Sequence, residues 1–280
     1  MILQAPAKIN LTLDVVGKRE DGYHDVRMIM ETVSLYDTII LHKTSGGIEL
    51  KCNLYYVPTD ERNIAFKAAK IFFEETGINC GISINIKKRI PVAAGLAGGS
   101  TDGAAVLKGI NRMFGHPLNS TRLEELAARL GADVPYCLNG RLALAEGVGE
   151  KLTRLGEMPR TLVLLAKPDV SLSTKWVYQN LRWDEVSGHP DTDGALEAIK
   201  NGDIRSLSQK MYNVLEEVSV TRYPVIRQIE KVMLEYGALS AMMSGSGPTV
   251  FGLFDDEEKA GNAMKELKKM CGFVYLGHTL

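Results

Sequence analysis

The sequence predicts an α+β fold, and three kinds of pattern indicate it. Apolar runs with alternating polar residues are typical of strands, and helical patterns end at glycines. In the C-terminal half the predicted order is strand, helices, two strands, helix and strand. That order suits an antiparallel sheet with helices on one face, the split βαβ arrangement. A new unit starts near residue 157, which predicts two domains, 1–156 and 157–280.

In the first predicted domain, period-two alternation gives the strands and a three- to four-residue apolar period gives the helices. The predicted strands are 2–16, 26–35, 38–43, 48–53, 82–88, 142–146 and 150–154. The predicted helices are 63–76, which Gly77 ends, 102–114, and a third that Ser120 or Thr121 caps and Gly131 ends.

The second predicted domain begins with a continuous apolar run of strand length at 161–166. Predicted helices follow at 174–182, 193–200, 204–216 and 222–236. Two strands, 239–243 and 249–254, flank a turn of small residues at 244–247, and a helix (256–270) and a strand (273–279) follow.

Composition excludes several classes of protein. Lys and Arg number 33 against 34 Asp and Glu, a net charge of -1, which argues against a polybasic nucleic-acid binder but allows a local basic pocket. No apolar run approaches the roughly 20 residues of a membrane helix, and Lys8 and Asp14 interrupt the N-terminal apolar stretch, so we expect no signal peptide. Four cysteines fit no zinc spacing and predict free thiols in a cytoplasmic protein: Cys52, Cys80, Cys137 and Cys271.

A loop of small residues lies between a predicted strand and a predicted helix. It consists of Pro91, Val92, Ala93, Ala94, Gly95, Leu96, Ala97, Gly98, Gly99, Ser100 and Thr101. Small residues let backbone amides approach a ligand, and the helix N-terminus adds unpaired N–H groups, which together suit a di- or triphosphate. The spacing is neither a Walker A loop nor G-x-G-x-x-G. The alternative is a plain connection in which Ser100 or Thr101 caps the helix.

Two other segments could complete such a site. The turn 244–247 offers amides for phosphate or a brace for the first loop, and its alternative is an ordinary hairpin turn. Asp133 stands between Ala132 and Val134, so a half-buried carboxylate is expected there, and Lys8 on the first strand is an available cation. A turn residue and a solvated strand face are the simpler interpretations of Asp133 and Lys8.

Three segments, in order, resemble the three motifs of the GHMP kinases, the superfamily of galactokinase, homoserine kinase and mevalonate kinase. They are PAKINL at 6–11, PVAAGLAGGSTD at 91–102 and MSGSG at 243–247. DGYH at 21–24, GADVP at 131–135 and AEGVGE at 145–150 narrow the resemblance to members whose acceptor carries a cytidyl group. The resemblance extends from residue 5 to about residue 254. It implies an N-terminal domain like ribosomal protein S5 domain 2 and a ferredoxin-like C-terminal domain.

The resemblance also implies an activity. ATP, with Mg²⁺, phosphorylates the 2-hydroxyl of 4-diphosphocytidyl-2-C-methyl-D-erythritol, giving the 2-phosphate and ADP in the non-mevalonate route to isoprenoids. We accordingly expect a small-molecule substrate, no nucleic-acid or membrane partner, and a monomer or weak homodimer. The alternatives are another GHMP kinase, such as one like homoserine kinase, an inactive sensor on the same fold, and a structural or interaction protein.

Site residues follow from the resemblance by position in this sequence. The implied catalytic pair is Lys8 and Asp133, and the loop 91–101 is the implied ATP phosphate-binding loop. Positions implied near the nucleotide are Asn63 and Lys88; those implied near the acceptor are Asn10, Tyr23, His24 and Tyr178, the last stacking on cytosine. Mg²⁺ would be carried by ATP, with Ser100 or Thr101 as the only protein ligands expected.

Two features of the sequence separate the hypotheses. DGYH and Tyr178 supply aromatic side chains that a small amino-acid acceptor would not need, which disfavours a homoserine kinase. Lys8 and Asp133 are both present, whereas an inactive sensor would be expected to lack one of them. Ala97 and Thr101 depart from the glycine and serine common at those motif positions, and Thr101 keeps the hydroxyl.

Overall fold

Ten strands and ten helices make up the chain in a computed structural model that describes all residues 1–280. The strands are β1 (Ile2–Lys18), β2 (His24–Thr44), β3 (Ile48–Cys52), β4 (Gly81–Lys87), β5 (Ala143–Gly147), β6 (Lys151–Arg154), β7 (Leu162–Lys167), β8 (Ser240–Met243), β9 (Val250–Phe254) and β10 (Phe273–His278). The helices are α1 (Ile64–Thr76), α2 (Gly98–Met113), α3 (Ser120–Leu130), α4 (Val134–Asn139), α5 (Thr174–Asn180), α6 (Thr192–Lys200), α7 (Ile204–Ser208), α8 (Val214–Arg222), α9 (Val225–Glu235) and α10 (Glu257–Leu267).

The chain forms two compact units, and each of them is built from three separate segments of the sequence. The first unit comprises Met1–Ala7, Leu35–Val92 and Ala97–Gly140; the second comprises Lys8–Ser34, Ala93–Leu96 and Arg141–Leu280. A division into domains at residue 157 stays a prediction.

In the first unit, helices α1 to α4 pack over β3, β4 and the C-terminal half of β2. β4 runs antiparallel to β2 over Thr38–Thr44 and parallel to β3. The core joins Phe72 of α1 and Ile110 of α2 to the buried isoleucines of β4. Gly103 lets α1 and α2 approach closely, because a Cβ there would lie 2.5 Å from Ile64 Cγ2.

In the second unit, β7 to β10 form an antiparallel sheet in the order β10-β7-β9-β8. Leu165 of β7 pairs with Phe251 of β9 on one side and with Tyr275 of β10 on the other. The N-terminal half of β2 pairs with β5, and β5 with β6. The predicted split βαβ order of the C-terminal half is confirmed.

The prediction divides one strand into two and joins two helices into one. The strands expected at 26–35 and 38–43 are one strand, β2, because Asp37 stays inside it: its buried carboxylate accepts hydrogen bonds from Arg89 N and Ile90 N. The helix expected at 204–216 is two helices, α7 and α8, because Asn213 leaves the helical path to cap α8.

One helix begins earlier than predicted, and another helix was not predicted. α2 begins at Gly98, four residues before the predicted start, because Ala97 takes a left-handed conformation (φ 55°) as its N-cap. α4 was not predicted at all, since six residues with a proline in the first turn carry no helical period.

Candidate active site

Lys8 and Asn10 form a buried polar pair inside β1. Lys8 Nζ donates to Asn10 Oδ1 at 2.7 Å, and Asn10 Nδ2 donates to Met28 Sδ at 3.2 Å. Both residues are buried, so Lys8 is not on a solvated strand face. Because Asn10 is neutral, it orients the ammonium without cancelling its charge. The pair therefore leaves a positive charge available to an anionic group.

The loop 91–97 repeatedly takes left-handed backbone conformations. Ala93 has a φ of 52°, Gly95 of 74° and Ala97 of 55°, and left-handed residues aim successive amides at a common point. Ala97 precedes α2 without a side-chain cap, so the amides of Gly98, Gly99 and Ser100 have no partner within the helix. The interpretation of Ser100 or Thr101 as the cap of this helix is wrong. The chain thus presents uncapped amides at a positive helix end.

The turn 244–247 packs against this loop within the second unit. Ser244 Oγ donates to Gly95 O at 3.0 Å, and Lys8 N donates to Leu96 O at 3.2 Å. A Cβ on Gly95 would overlap Ser244 O, and a Cβ on Gly245 would lie 3.3 Å from Lys8 Nζ. The turn is therefore a brace for the first loop rather than an ordinary hairpin turn. Segments of all three predicted motifs meet here.

Two residues that the sequence did not single out hold the turn 244–247 in place. Asn213 Nδ2 donates to Met243 O and to Gly245 O, each at 2.8 Å, while its Oδ1 caps α8 through Leu215 N. Glu216 Oε2 accepts from Met243 N at 2.8 Å. Burial raises the pKa of Glu216, which also hydrogen-bonds Glu230. An Asn directly before an apolar helix start was the only local signal.

Two of the three predicted acceptor aromatics lie together. The rings of His24 and Tyr178 have centroids 5.4 Å apart and are tilted by 32°. Burial, with a smaller effect of Lys18, lowers the pKa of His24, which keeps its imidazole neutral near pH 7. Tyr23 is 66% exposed, and its backbone N–H donates to Asp21 Oδ1 in the turn before β2.

Both residues expected near the nucleotide have their polar groups occupied by protein atoms. Asn63 caps α1 by accepting from Ala65 N, and its Nδ2 donates to Pro58 O at 2.7 Å. Lys88 is buried, and its Nζ donates to Asp37, to Asp102 Oδ2 at 2.8 Å and to Gly98 O at 3.2 Å.

Asp133 occupies the N-cap position of α4 in the first unit. Its backbone carbonyl accepts from Cys137 N at 3.1 Å, and its half-buried carboxylate caps no N–H group of the helix. The carboxylate therefore makes no hydrogen bond to the helix end, whereas the side chain of an ordinary capping residue would.

The chain has neither a cluster of metal-ligating side chains nor a helix suited to a membrane. No three His, Cys, Asp or Glu side chains are grouped so as to hold a metal ion. None of the helices has the length and apolar character needed to span a membrane.

Comparison with known families identifies the class of protein that this fold and site define. The model of the GHMP kinases N terminal domain matches residues 63–141, and that of the GHMP kinases C terminal domain matches residues 195–272. Together they cover more than half of the chain, which belongs to the GHMP kinases.

The curated and solved relatives are more specific. The 4-diphosphocytidyl-2-C-methyl-D-erythritol kinase of Clostridium beijerinckii is 49% identical over 280 residues, covering 100% of both chains. That of Lachnospira eligens is 52% identical over 257 residues, 91% of this chain and 89% of the relative. A crystal structure of 4-(cytidine 5'-diphospho)-2C-methyl-D-erythritol kinase superposes with a TM-score of 0.87 at 33% identity, covering 100% of this chain and 99% of the other. Homoserine kinase from Cytophaga hutchinsonii, 21% identical, shares the fold with a TM-score of 0.79 over 99% and 94% of the two chains.

Proposed function

We propose that this protein is an ATP-dependent small-molecule kinase that phosphorylates the 2-hydroxyl of 4-diphosphocytidyl-2-C-methyl-D-erythritol. The products are the 2-phosphate and ADP, a step of the non-mevalonate route to isoprenoids. The observation that carries the proposal is the meeting of Lys8, the Gly95 loop and the Gly245 turn in one unit. Full-length relatives that bear the name of this kinase support the choice of acceptor.

The ATP triphosphate binds at the start of α2. The helix dipole contributes only about 0.3–1 kcal/mol at an exposed end, so directed N–H bonds from the loop and Mg²⁺ must supply most of the binding. Mg²⁺ arrives as part of the nucleotide substrate. Ser100 is half-buried whereas Thr101 is buried, which makes the Ser100 hydroxyl the better ligand for the metal or for a phosphate oxygen.

Asp133 receives the proton of the attacking hydroxyl. Phosphoryl transfer needs in-line positioning and charge neutralisation more than covalent assistance, so Asp133 also orients the hydroxyl. Lys8 supplies a positive charge that counters the charge of the transferred phosphoryl group. Asn10 holds Lys8 in place through the 2.7 Å hydrogen bond.

The cytosine of the acceptor stacks against the aromatic pair of His24 and Tyr178. A neutral imidazole beside a phenol ring offers aromatic faces and hydrogen-bonding edges, which suits a pyrimidine base. Tyr23 covers the same base from the exposed turn. A kinase for a small amino acid, such as homoserine, would gain nothing from these rings, and an inactive sensor would not need Lys8 with Asp133.

The test is ADP release from Mg-ATP by the purified protein. We expect turnover with 4-diphosphocytidyl-2-C-methyl-D-erythritol and none above background with homoserine or galactose. Binding of ATP without turnover on the cytidyl compound would contradict the proposed acceptor. Turnover on homoserine instead would favour the alternative kinase of the same superfamily.

A further inference from the structure

A buried ionic cluster lies in the first unit, made of Lys88 directly after β4, Asp37 in β2 and Asp102 in α2. Their side chains are 4%, 0% and 5% exposed. Lys88 Nζ donates to one oxygen of each carboxylate. Buried charges are costly unless each is paired, and a cluster of three is often no more stable than an apolar replacement. Its presence beside a candidate site therefore calls for an explanation other than stability.

The cluster holds the chain on both sides of the phosphate-binding loop. Before the loop, Asp37 Oδ1 accepts from Arg89 N at 2.5 Å and from Ile90 N at 2.9 Å. After the loop, Lys88 binds the carbonyl of Gly98, the first residue of α2, and Asp102 in the next turn. One buried group of side chains thus fixes where the loop departs from β4 and where it becomes helix.

The geometry leaves Lys88 no means of contacting a nucleotide. An ammonium has three N–H donors, and the three acceptors of Lys88 are Asp37, Asp102 and Gly98 O. Its backbone is held too, since Lys88 N donates to Asn53 Oδ1 at 2.7 Å and Asn53 Nδ2 donates to Lys88 O at 3.2 Å. Gly98 has to be glycine for this contact, because a Cβ would lie 2.9 Å from Ile90 Cγ2.

We propose that Lys88, Asp37 and Asp102 are positioning residues that set the ATP phosphate-binding loop by anchoring its two ends, and that none of them binds the nucleotide. This changes the role that family resemblance implies for Lys88. The inference rests on the ATP binding of the proposed function but not on the identity of the acceptor. In this proposal the cluster affects the affinity for ATP by fixing the backbone of the loop, and the charge of Lys88 does not contact the phosphates.

A double-variant comparison separates positioning from direct binding. Lys88→Met keeps the length of the side chain but leaves two buried carboxylates without a cation. We expect the dissociation constant of Mg-ATP, measured by calorimetry without acceptor, to rise roughly 10- to 100-fold because the loop ends shift. Asn has nearly the shape of the Asp102 side chain but no charge, so Asp102→Asn removes one of the two negative charges that Lys88→Met leaves unpaired. Lys88→Met with Asp102→Asn is therefore expected to recover most of the lost affinity.

Lys87→Met is the matched control, because Lys87 is the preceding residue and is exposed at the end of β4. It removes the same charge outside the cluster and is expected to leave ATP affinity unchanged. Weakened ATP binding by Lys88→Met that Asp102→Asn does not restore would identify Lys88 as a direct ligand and overturn the inference. Unchanged ATP affinity in folded Lys88→Met would overturn it as well, since a merely structural cluster alters the unfolding temperature alone.

A second variant keeps the inference testable if Lys88→Met does not fold. Asp37→Asn retains an acceptor for Arg89 N and Ile90 N but weakens the partner of Lys88, and we expect ATP affinity to fall several-fold. Wild-type affinity in folded Asp37→Asn would contradict the inference. If the wild-type protein bound no ATP, both the proposed function and this inference would be contradicted. If it bound ATP but did not phosphorylate the cytidyl compound, only the proposed acceptor would be contradicted.

Discussion

The buried ammonium of Lys8, inside β1, donates a hydrogen bond to one neutral partner, Asn10. A lysine in such a position costs free energy that a binding site recovers only when an anion is present. Asp133 is similar, because its carboxylate at the start of α4 caps no helix amide. We propose that both charges serve a ligand, because Lys8 has only a neutral partner and the Asp133 carboxylate makes no hydrogen bond to the helix end.

Asp133→Asn tests the catalytic assignment at this scale. Removing the proton acceptor is expected to lower turnover on the order of 10²–10⁴-fold, with little change in ATP affinity. The measurement is steady-state kinetics with both substrates varied. Asp184→Asn, at an exposed position, serves as the control. Near-normal turnover in Asp133→Asn would remove Asp133 from the mechanism.

Tyr178→Ala tests the acceptor site. Loss of one stacking ring is expected to weaken the cytidyl substrate by about 1–3 kcal/mol, on the scale known for bases stacked on aromatic side chains. ATP affinity should not change. Tyr23→Ala, measured in parallel, shows how much the exposed ring adds, and Tyr236→Ala controls for removal of a tyrosine elsewhere. Equal losses for acceptor and ATP in Tyr178→Ala would indicate a folding defect instead.

At the scale of elements, the turn 244–247 depends on the start of α8, which lies about 30 residues earlier in the sequence. Asn213 interrupts what would otherwise be one helix, and with the same side chain it caps α8 and holds the turn 244–247. A residue that serves a helix and a distant turn at once should be more sensitive to substitution than an ordinary cap.

Asn213→Ala and Asn119→Ala compare these two kinds of cap. Asn119 caps α3 through Arg122 N, and losing it should cost about 1 kcal/mol of unfolding free energy. Asn213→Ala also leaves Met243 O and Gly245 O without their donor, so we expect a loss of about 2–4 kcal/mol. Kinase activity should fall in Asn213→Ala alone. Urea denaturation and turnover assays would show it, and equal effects of the two substitutions would contradict the brace.

Elements with a clear apolar period were predictable, and those shaped by long-range contacts were not. α1 and α3 matched within a residue or two because the apolar period and the final glycine agree locally, although the cap of α3 is Asn119 and not the predicted Ser120 or Thr121. β2 was divided in the prediction because Asp37 reads as a break, and only its contacts with Arg89 and Ile90 explain why it is not one.

The candidate site was predictable to a similar extent. The 91–101 loop stands out from its small residues and its place between a strand and a helix, whereas the role of Lys8 was implied by the family resemblance. Asn213, Glu216 and Asp102 do not, since their partners become neighbours only when the chain has folded. The start of α2 was misplaced because two consecutive glycines oppose a helix locally, and only the folded structure shows that Gly98 packs closely against Ile90.

For the molecule as a whole, Glu31 predicts how stability varies with pH. Its side chain is fully buried in β2, Oε1 accepts from Thr32 N at 2.6 Å, and Oε2 has no hydrogen-bond partner. Burial raises the pKa of Glu31 to about 7, although hydrogen bonds from Thr32 oppose the shift. The folded protein therefore retains a proton on Glu31 at pH values where the unfolded chain has already lost it.

The stabilisation that this proton gives is complete below the ordinary carboxyl pKa and is lost as pH rises through about 7. Glu31→Gln keeps the neutral form at every pH. Relative to wild type, its free energy of unfolding should rise by up to about 3 kcal/mol between pH 4 and pH 8. Denaturant titrations at several pH values measure the difference. Glu20→Gln, at an exposed turn, should follow wild type, and a difference independent of pH would exclude Glu31 as the source.

The contact between Ser244 and Gly95 has a consequence for synthesis on the ribosome. The two residues are 149 positions apart, so the hydroxyl that braces the loop is added long after the loop has left the exit tunnel. At roughly 5–20 residues per second, the delay is roughly 7 to 30 s, far longer than a helix needs to form. During that interval the ribosome has not yet made all of Arg141–Leu280, the segment that forms one unit with Lys8, Asn10 and Ala93–Leu96. The nascent N-terminal half therefore emerges with its 91–101 loop unbraced, accessible to chaperones until translation reaches the turn 244–247.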